Sequence, residues 1–278
     1  MQPHSMLAPT SFRCHRLIRH RWMCWLAALA VAMPAAAHDY WLESRLATQS
    51  EHPRLVSRLY LGEALRVEEE RPYDPARTLD YSLILPDRVI DLRKTVQRKT
   101  TPALNMPLDA SAALLRLDRN AAFIEHTPDK FRHYLEHEGQ LADFPHALPK
   151  KQVRERYLRY LKSLVSDGAA NLHSRVTGQR LEIVLLDDPL RVPSGEKVRV
   201  RVLFEHEALP NAHLFAYRRD AAGKVSTQAL RTDVQGGATF KLTGTGQWLV
   251  RSTYIEPCTQ ACEKVQWDSH WAAFSFRR

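Results

Sequence analysis

Short runs of alternating apolar and polar residues dominate two parts of the chain, and residues typical of turns separate them. Such runs predict β-strands. In the first part the predicted strands are 54–60, 78–85, 88–92 and 112–117. In the second part they are 181–186, 197–204, 214–218, 224–231, 238–242, 247–255 and 270–276. Seven short strands within about 100 residues favour an immunoglobulin-like sandwich for the second part.

Between these two parts the apolar residues recur at helical spacing. Thr127-Pro128-Asp129 combines a capping hydroxyl, a first-turn proline and an early acid, which together predict a helix start. Phe131, Tyr134 and Leu135 then share one face. A second helix is predicted from about 150 to 166, where apolar residues recur at spacings of three and four. These residues are Val153, Tyr157, Tyr160, Leu161 and Leu164.

The first 37 residues have the pattern of a secretory signal. Four arginines without an acidic residue precede an apolar run at 22–33, and Ala35-Ala36-Ala37 fits the small-residue cleavage pattern. Cleavage after Ala37 would make His38 the first residue of a periplasmic or secreted chain. The apolar run is too short to span a bilayer, so we do not expect the exported chain to be transmembrane.

The predicted layout is therefore a signal peptide at 1–37, an N-terminal β-rich domain at 38–176 and an immunoglobulin-like sandwich at 177–278. The first domain would carry a two-helix insert at about 127–168. The expected fold class is mostly β, with two parts that each resemble a β-sandwich.

Charge and cysteine content narrow the class of protein. The formal net charge is +9, but four of the positive charges are signal arginines, so the exported chain carries no nucleic-acid signature. A basic run is expected to form the solvated face of the second helix; it consists of Lys150, Lys151, Arg154, Arg156, Arg159 and Lys162. Cys258 and Cys262 form an even pair, which predicts a disulfide in an oxidising compartment. A dithiol metal or redox pair is the alternative.

Histidines are the strongest candidates for chemistry, since motifs for catalytic nucleophiles and phosphate-binding loops are missing from the sequence. An N-terminal His38 would offer a metal its imidazole and its α-amine, whose pKa is roughly 7.7–8.0. His133 and His137 are four residues apart and share a helix face, with His126 just before the helix. An exposed polar face is the alternative for that pair. For His270, in a predicted strand, the alternative is a buried core histidine.

Several segments match a known pattern. The chain reads Ala37-His38-Asp39-Tyr40-Trp41 at the cleavage point, Phe131-Arg132-His133-Tyr134-Leu135-Glu136-His137-Glu138-Gly139 in the middle, and Trp267-Asp268-Ser269-His270-Trp271 near the end. With these segments it resembles an exported uncharacterised family filed with nickel-uptake substrate-specific components, domain-of-unknown-function family 4198. The resemblance implies two β-rich parts and an accessory role in handling a transition metal. Two residues depart from the pattern: His270 replaces an aromatic residue, and Tyr254 replaces a histidine found in many relatives.

We therefore expect a non-enzymatic periplasmic protein that binds a divalent transition metal and is linked to metal uptake. The resemblance puts nickel or cobalt first, while nitrogen ligands also suit copper. The predicted ligands are His38 and His270, with His126, His133 or His137 closing the site. The expected partner is a metal-uptake transporter in the membrane. A nucleic-acid partner is not expected. The alternatives are a structural or interaction module without metal, and a copper enzyme built on an N-terminal histidine.

Overall fold

The computed structural model describes residues 38–47, 53–144, 149–166, 168 and 170–278. The predicted signal peptide lies outside these ranges. No helix within them is long and apolar enough to cross a membrane. The strands, in chain order, are β1 (Asp39–Ala47), β2 (Arg54–Glu63), β3 (Arg66–Arg71), β4 (Thr78–Ile84), β5 (Val89–Asp91), β6 (Leu104–Pro107), β7 (Ala113–His126), β8 (Val153–Val165), β9 (Leu181–Leu185), β10 (Lys197–Phe204), β11 (Glu207–Ala208), β12 (His213–Arg219), β13 (Val225–Arg231), β14 (Gly237–Lys241), β15 (Gln247–Pro257) and β16 (Trp267–Arg277). The α-helix of the described residues is α1 (Pro128–His137), and short 3₁₀ turns occupy Pro75–Arg77, Leu141–Asp143 and Leu172–Ser174.

Three sheets build the described part of the protein. The central sheet has eight strands in the order β13-β12-β15-β16-β8-β7-β4-β5. The N-terminal sheet contains β1, β2, β3 and β6, and the C-terminal sheet contains β9, β10, β11 and β14. The expected mostly β, sandwich-like fold is thus confirmed. The central sheet takes strands from both sides of the predicted boundary near residue 176, joined where β8 and β16 pair in parallel.

The two faces of the central sheet carry separate hydrophobic layers. On β16, Ala273 belongs to the same buried cluster as Trp41 of β1, whereas Phe274 belongs to the cluster that contains Val200 of β10. Successive residues of a strand point to opposite faces of its sheet. The N-terminal sheet therefore covers one face of the central sheet, and the C-terminal sheet covers the other.

The first predicted helix is confirmed as α1. The Thr127 side chain caps it by accepting a hydrogen bond from the Lys130 N–H, and its buried residues are Phe131, Tyr134 and Leu135. Just beyond the helix, Gly139 has a φ of +71°, and a Cβ there would lie 2.4 Å from the His213 ring. Both the backbone angle and this close approach favour glycine as the residue that ends the helix.

The second predicted helix, at about 150–166, is wrong. These residues contain β8, which pairs antiparallel with β7 and parallel with β16. Spacings of three and four arise because β8 is covered on both faces, so apolar side chains occupy odd and even positions alike. Two buried charged residues, Glu155 and Lys162, interrupt the alternation further. In its described residues, the insert predicted at about 127–168 therefore holds one α-helix followed later by a strand.

The predicted disulfide joins Cys258 to Cys262 in the loop between β15 and β16. Replacing both cysteines with serine should lower the free energy of unfolding by no more than about 2 kcal/mol, because closing so short a loop removes little chain entropy. The same loop is held independently by Arg156, whose Nη2 donates to the Gln260 carbonyl at 3.0 Å. Urea denaturation of the wild type and the double variant measures the difference. A much larger loss would show that the disulfide supports more than this loop.

Candidate functional site

A buried ion-pair network holds the first described residues in place. An Asp39 carboxylate oxygen lies 2.8 Å from Nε of Arg251, and its other oxygen accepts a hydrogen bond of 2.9 Å from the Ala64 N–H. Arg251 also donates from Nη1 to Glu138 at 2.7 Å. All three charged side chains are buried. The network therefore ties the start of β1 to β15 and to the residue that follows α1.

The residues after Asp39 divide between the core and a cleft. Trp41 is fully buried, and its indole N–H donates to Glu43 at 2.9 Å. Tyr40 lines a cavity of about 470 Å³, which His38 borders as well. The short N-terminal motif thus supplies a buried ion-pair partner in Asp39 and a core aromatic residue in Trp41. Its other two side chains, His38 and Tyr40, line one cavity.

This cavity, called the basic cleft below, is lined by cationic side chains from several segments. They are Arg71, Arg77, Lys99, Arg119 and Arg159. Tyr40, Tyr157 and Trp271 supply aromatic walls, and the acidic lining residues are Asp74 and Glu155. Because Lys99 pairs with Asp74 at 3.2 Å, that acid is already engaged at the rim.

Two arginines of the basic cleft surround Tyr40. The guanidinium carbon of Arg119 lies 4.7 Å from the Tyr40 ring centroid, and that of Arg159 lies 5.0 Å away. Arg119 also donates to the Tyr40 hydroxyl. Burial lowers the pKa of Arg159, and the nearby charge of Arg119 acts in the same direction. Among the described residues neither arginine has an ion-pair partner within 4.0 Å, so positive charge is concentrated here.

His38 lies at the edge of the basic cleft with its ring directed to an acid. Its Nε2 is 3.0 Å from a carboxylate oxygen of Glu68, and both side chains are partly exposed. A proton on Nε2 satisfies this contact, and it leaves a lone pair on Nδ1. The His38 carbonyl accepts a hydrogen bond of 3.3 Å from Arg159 Nη2.

His126 belongs to a buried polar group beneath α1. Its Nε2 lies 2.7 Å from Glu155, and its ring stacks on Tyr134 with centroids 5.6 Å apart. Glu155 also accepts a hydrogen bond from the Ser269 hydroxyl. Since Glu155 lines the basic cleft, this group adjoins the cleft, but the contact of His126 is with the carboxylate.

The two histidines of α1 lie off its apolar stripe, as the spacing predicts. His133 is exposed, and its Nδ1 lies 3.8 Å from Glu136. His137 is half-exposed and contacts Glu138 at 3.1 Å, and this hydrogen bond raises the pKa of His137. Through Glu138, His137 joins the Arg251 network.

His270 is fully buried on the other face of the central sheet. Its Nδ1 lies 3.3 Å from the Tyr160 hydroxyl, and its Nε2 lies 3.4 Å from Glu256. Its neighbour Trp271 lines the basic cleft, so His270 points the opposite way. The structure therefore does not bring His270 together with His38. In the ranges described, no group of three or more His, Cys, Asp or Glu side chains has a geometry that could hold a metal ion.

The basic cleft is a feature that the sequence reasoning missed. The basic run at 150–162 is expected on a solvated helix face, yet Arg159 lines the cleft and Lys162 is buried on the opposite face of β8. The available signal was an arginine flanked by Tyr157 and Tyr160 within an apolar run. Arg119 carries no comparable signal in the sequence; in the structure it precedes an irregularity in the pairing of β7 with β8, between Arg119 and Ala122. Such bulges redirect side chains and are frequent beside functional sites.

Comparisons with known proteins add a family but no function. No curated protein matches the chain. One solved structure, a tetra-tandem repeat in the extending region of a large adhesion protein, aligns with 86% of this chain at 8% identity and a TM-score of 0.22. The chain covers 49% of that structure, and a TM-score this low does not indicate a shared fold. A family model described as a domain of unknown function, DUF4198, matches residues 35–256. The chain therefore belongs to the DUF4198 family.

Proposed function

We propose that the exported chain is a periplasmic accessory protein that binds a divalent transition-metal ion through His38. The proposal rests on cleavage after Ala37, which would free the α-amine of His38. That amine and Nδ1 of the same residue can then close a chelate ring on one ion. The proposed cargo is nickel or cobalt, from the family resemblance, with copper favoured by affinity alone.

The contact between His38 and Glu68 is the observation that supports this proposal. A metal-binding histidine usually donates its second ring N–H to a carboxylate or carbonyl, which fixes the ring and its tautomer. Here Nε2 is 3.0 Å from Glu68, so Nδ1 is the nitrogen left for a metal. It is also the ring nitrogen that can share an ion with the amine of the same residue.

The surroundings of His38 suit capture and release of an ion. The buried ion pair between Asp39 and Arg251 fixes the backbone next to the proposed chelate, which reduces the entropy lost on binding. His38 itself is partly exposed, so other ligands can reach the remaining coordination positions. Such a site is consistent with transfer of the ion to a transporter in the membrane, which we propose as the partner.

We leave the other four candidate histidines out of the site. His126 and His137 are each directed at a carboxylate of a buried network, His133 is exposed on α1, and His270 lies on the far face of the central sheet. No contact in the described part of the chain links any of them to His38.

Blocking the N-terminal amine should abolish most of the metal affinity. Protein that begins at His38 is expected to bind one nickel or copper ion at least about 100-fold more tightly than protein with an added methionine, a difference of about 2.7 kcal/mol. Glu68→Gln should weaken binding by about 10–100-fold, because the ring exchanges a charged orienting acceptor for a weaker neutral one. Binding should also weaken in acid, because protons compete with the metal ion for nitrogen ligands. Titration calorimetry measures all three effects.

His133→Ala is the matched control, since it removes an exposed histidine of α1 and should leave the affinity unchanged. Equal affinities for the free and the blocked N-terminus would reject the chelate. Absence of metal binding in both forms would favour the alternative of an interaction module without metal.

A further inference from the structure

We infer that the basic cleft is a binding site for a small organic anion that carries two or more carboxylate or phosphate groups. This inference does not rest on the metal proposal, because the residues that carry it are arginines and aromatics, although His38 lies at the edge of the same cleft. Two cationic side chains of the cleft, Arg119 and Arg159, have no acidic partner within the described part of the chain.

Arg119 and Arg159 form the inner part of the proposed site. Both guanidinium groups lie within 5.0 Å of the Tyr40 ring centroid, and neither has an acidic partner within 4.0 Å in the described ranges. Nε of Arg159 is buried and has no hydrogen-bond partner there either. Burying a charge without a partner is costly, and two like charges beside one ring add repulsion. An oxyanion that contacts both guanidinium groups would offset both costs.

The guanidinium group also selects the chemistry of the ligand. Its planar set of N–H donors matches two oxygens of a carboxylate or a phosphate group, and such charge-assisted bonds are short and strong. The ring of Tyr40 holds both groups in place by cation–π contacts, and Tyr157 adds a third contact at 4.8 Å from Arg159. The donors are thus oriented before a ligand arrives.

The size of the cleft indicates more than one anionic group. At about 470 Å³ it is far larger than a single inorganic ion and lies in the range of small-molecule sites. A second set of cations, Arg71 and Arg77, is exposed, and Arg71 also pairs with Glu69 at 3.1 Å. Trp271 provides an apolar wall that a carbon skeleton can contact. A ligand with anionic groups at two positions would use both sets of cations.

Citrate and pyrophosphate serve as probes for the two forms of this chemistry. Each is titrated by calorimetry into metal-free protein that carries an extra methionine before His38, so that the proposed metal chelate is blocked. We expect one or both anions to bind, while glycerol does not. Arg119→Gln and Arg159→Gln should each weaken binding at least tenfold, and sodium chloride should weaken binding to the wild type.

Arg201→Gln is the matched control, because it removes one positive charge from an exposed position of β10 in the C-terminal sheet. It should leave the affinity unchanged. Arg159→Lys keeps the charge but loses the planar donor set, so it should bind more weakly than the wild type while folding normally. Citrate binding alone would identify a carboxylate ligand, and pyrophosphate binding alone would identify a phosphorylated one. No binding of either anion at millimolar concentration would overturn the inference, as would affinities that the cleft variants do not reduce.

Discussion

Replacing Arg251 with methionine is expected to lower the free energy of unfolding by about 3–5 kcal/mol at pH 7, the usual cost of leaving a buried charge without its partner. Arg251 lies between Asp39 and Glu138, at 2.8 and 2.7 Å. All three side chains are buried, so water cannot replace the guanidinium. Without it, two carboxylates would remain in the interior close to each other.

The pH dependence of this loss separates a charge effect from a packing effect. Burial raises the pKa of Glu138, but Arg251 and His137 outweigh it and hold the pKa at about 2. In the wild type this lowered pKa contributes stability above the unfolded value of 4.5, and the contribution is lost as the pH falls towards 2. In Arg251→Met the carboxyl loses its main partner and protonates at higher pH. The loss of stability should therefore be smaller at pH 4 than at pH 7.

Urea denaturation at the two pH values measures both effects. Arg199→Met is the matched control, because Arg199 forms an exposed pair with Asp187 and its removal should hardly change the stability. A loss of equal size at both pH values would mean that the side chain stabilises the protein through its packing alone.

Local sequence patterns were sufficient to predict most strands and the helix α1. Turn residues bound the strands, and the cap at Thr127 with three apolar residues on one face defines α1. These features depend on neighbours within a few residues. The pairing of β8 with β16 depends on residues more than 100 positions apart, and it makes β8 a strand covered on both faces. Local spacing does not reveal this pairing, and by itself it predicts a helix over these residues.

The candidate site was predictable only in part for the same reason. The motif at His38 was visible, but its contact with Glu68 comes from the pairing of β1 with β2 and of β2 with β3. The basic cleft combines residues from β1, β2, β3, β7, β8 and β16 with residues of the segments between strands. Histidine counts suggested one shared site, whereas the alternation of β16 sends His270 to the face opposite Trp271.

The second large effect is expected for Glu182→Gln, which should cost about 3–5 kcal/mol because it leaves Lys162 buried without a counter-charge. Glu182 lies 2.8 Å from Nζ of Lys162, and both side chains are almost fully buried. The pair links β8 of the central sheet to β9 of the C-terminal sheet. The carboxylate also accepts hydrogen bonds from the backbone N–H groups of Thr177, Gly178 and Gln179. A glutamine side chain has one acceptor oxygen where the carboxylate has two, so it can accept only some of these hydrogen bonds.

Removing Lys162 and removing the charge of Glu182 should lower the free energy of unfolding by different amounts. Lys162→Met leaves Glu182 with its backbone donors, so it should cost less than Glu182→Gln. Burial raises the pKa of Glu182, but Lys162 and the hydrogen bonds from Thr177 bring it below the usual value. The carboxylate therefore contributes stability above pH 4.5, and this contribution is lost as the pH falls. Urea denaturation at pH 7 should thus give the order wild type, Lys162→Met, Glu182→Gln, with the gap between wild type and Glu182→Gln narrowing in acid. The reverse order for the two variants would mean that the lysine, and not the acceptor of the backbone hydrogen bonds, contributes most to holding the two sheets together.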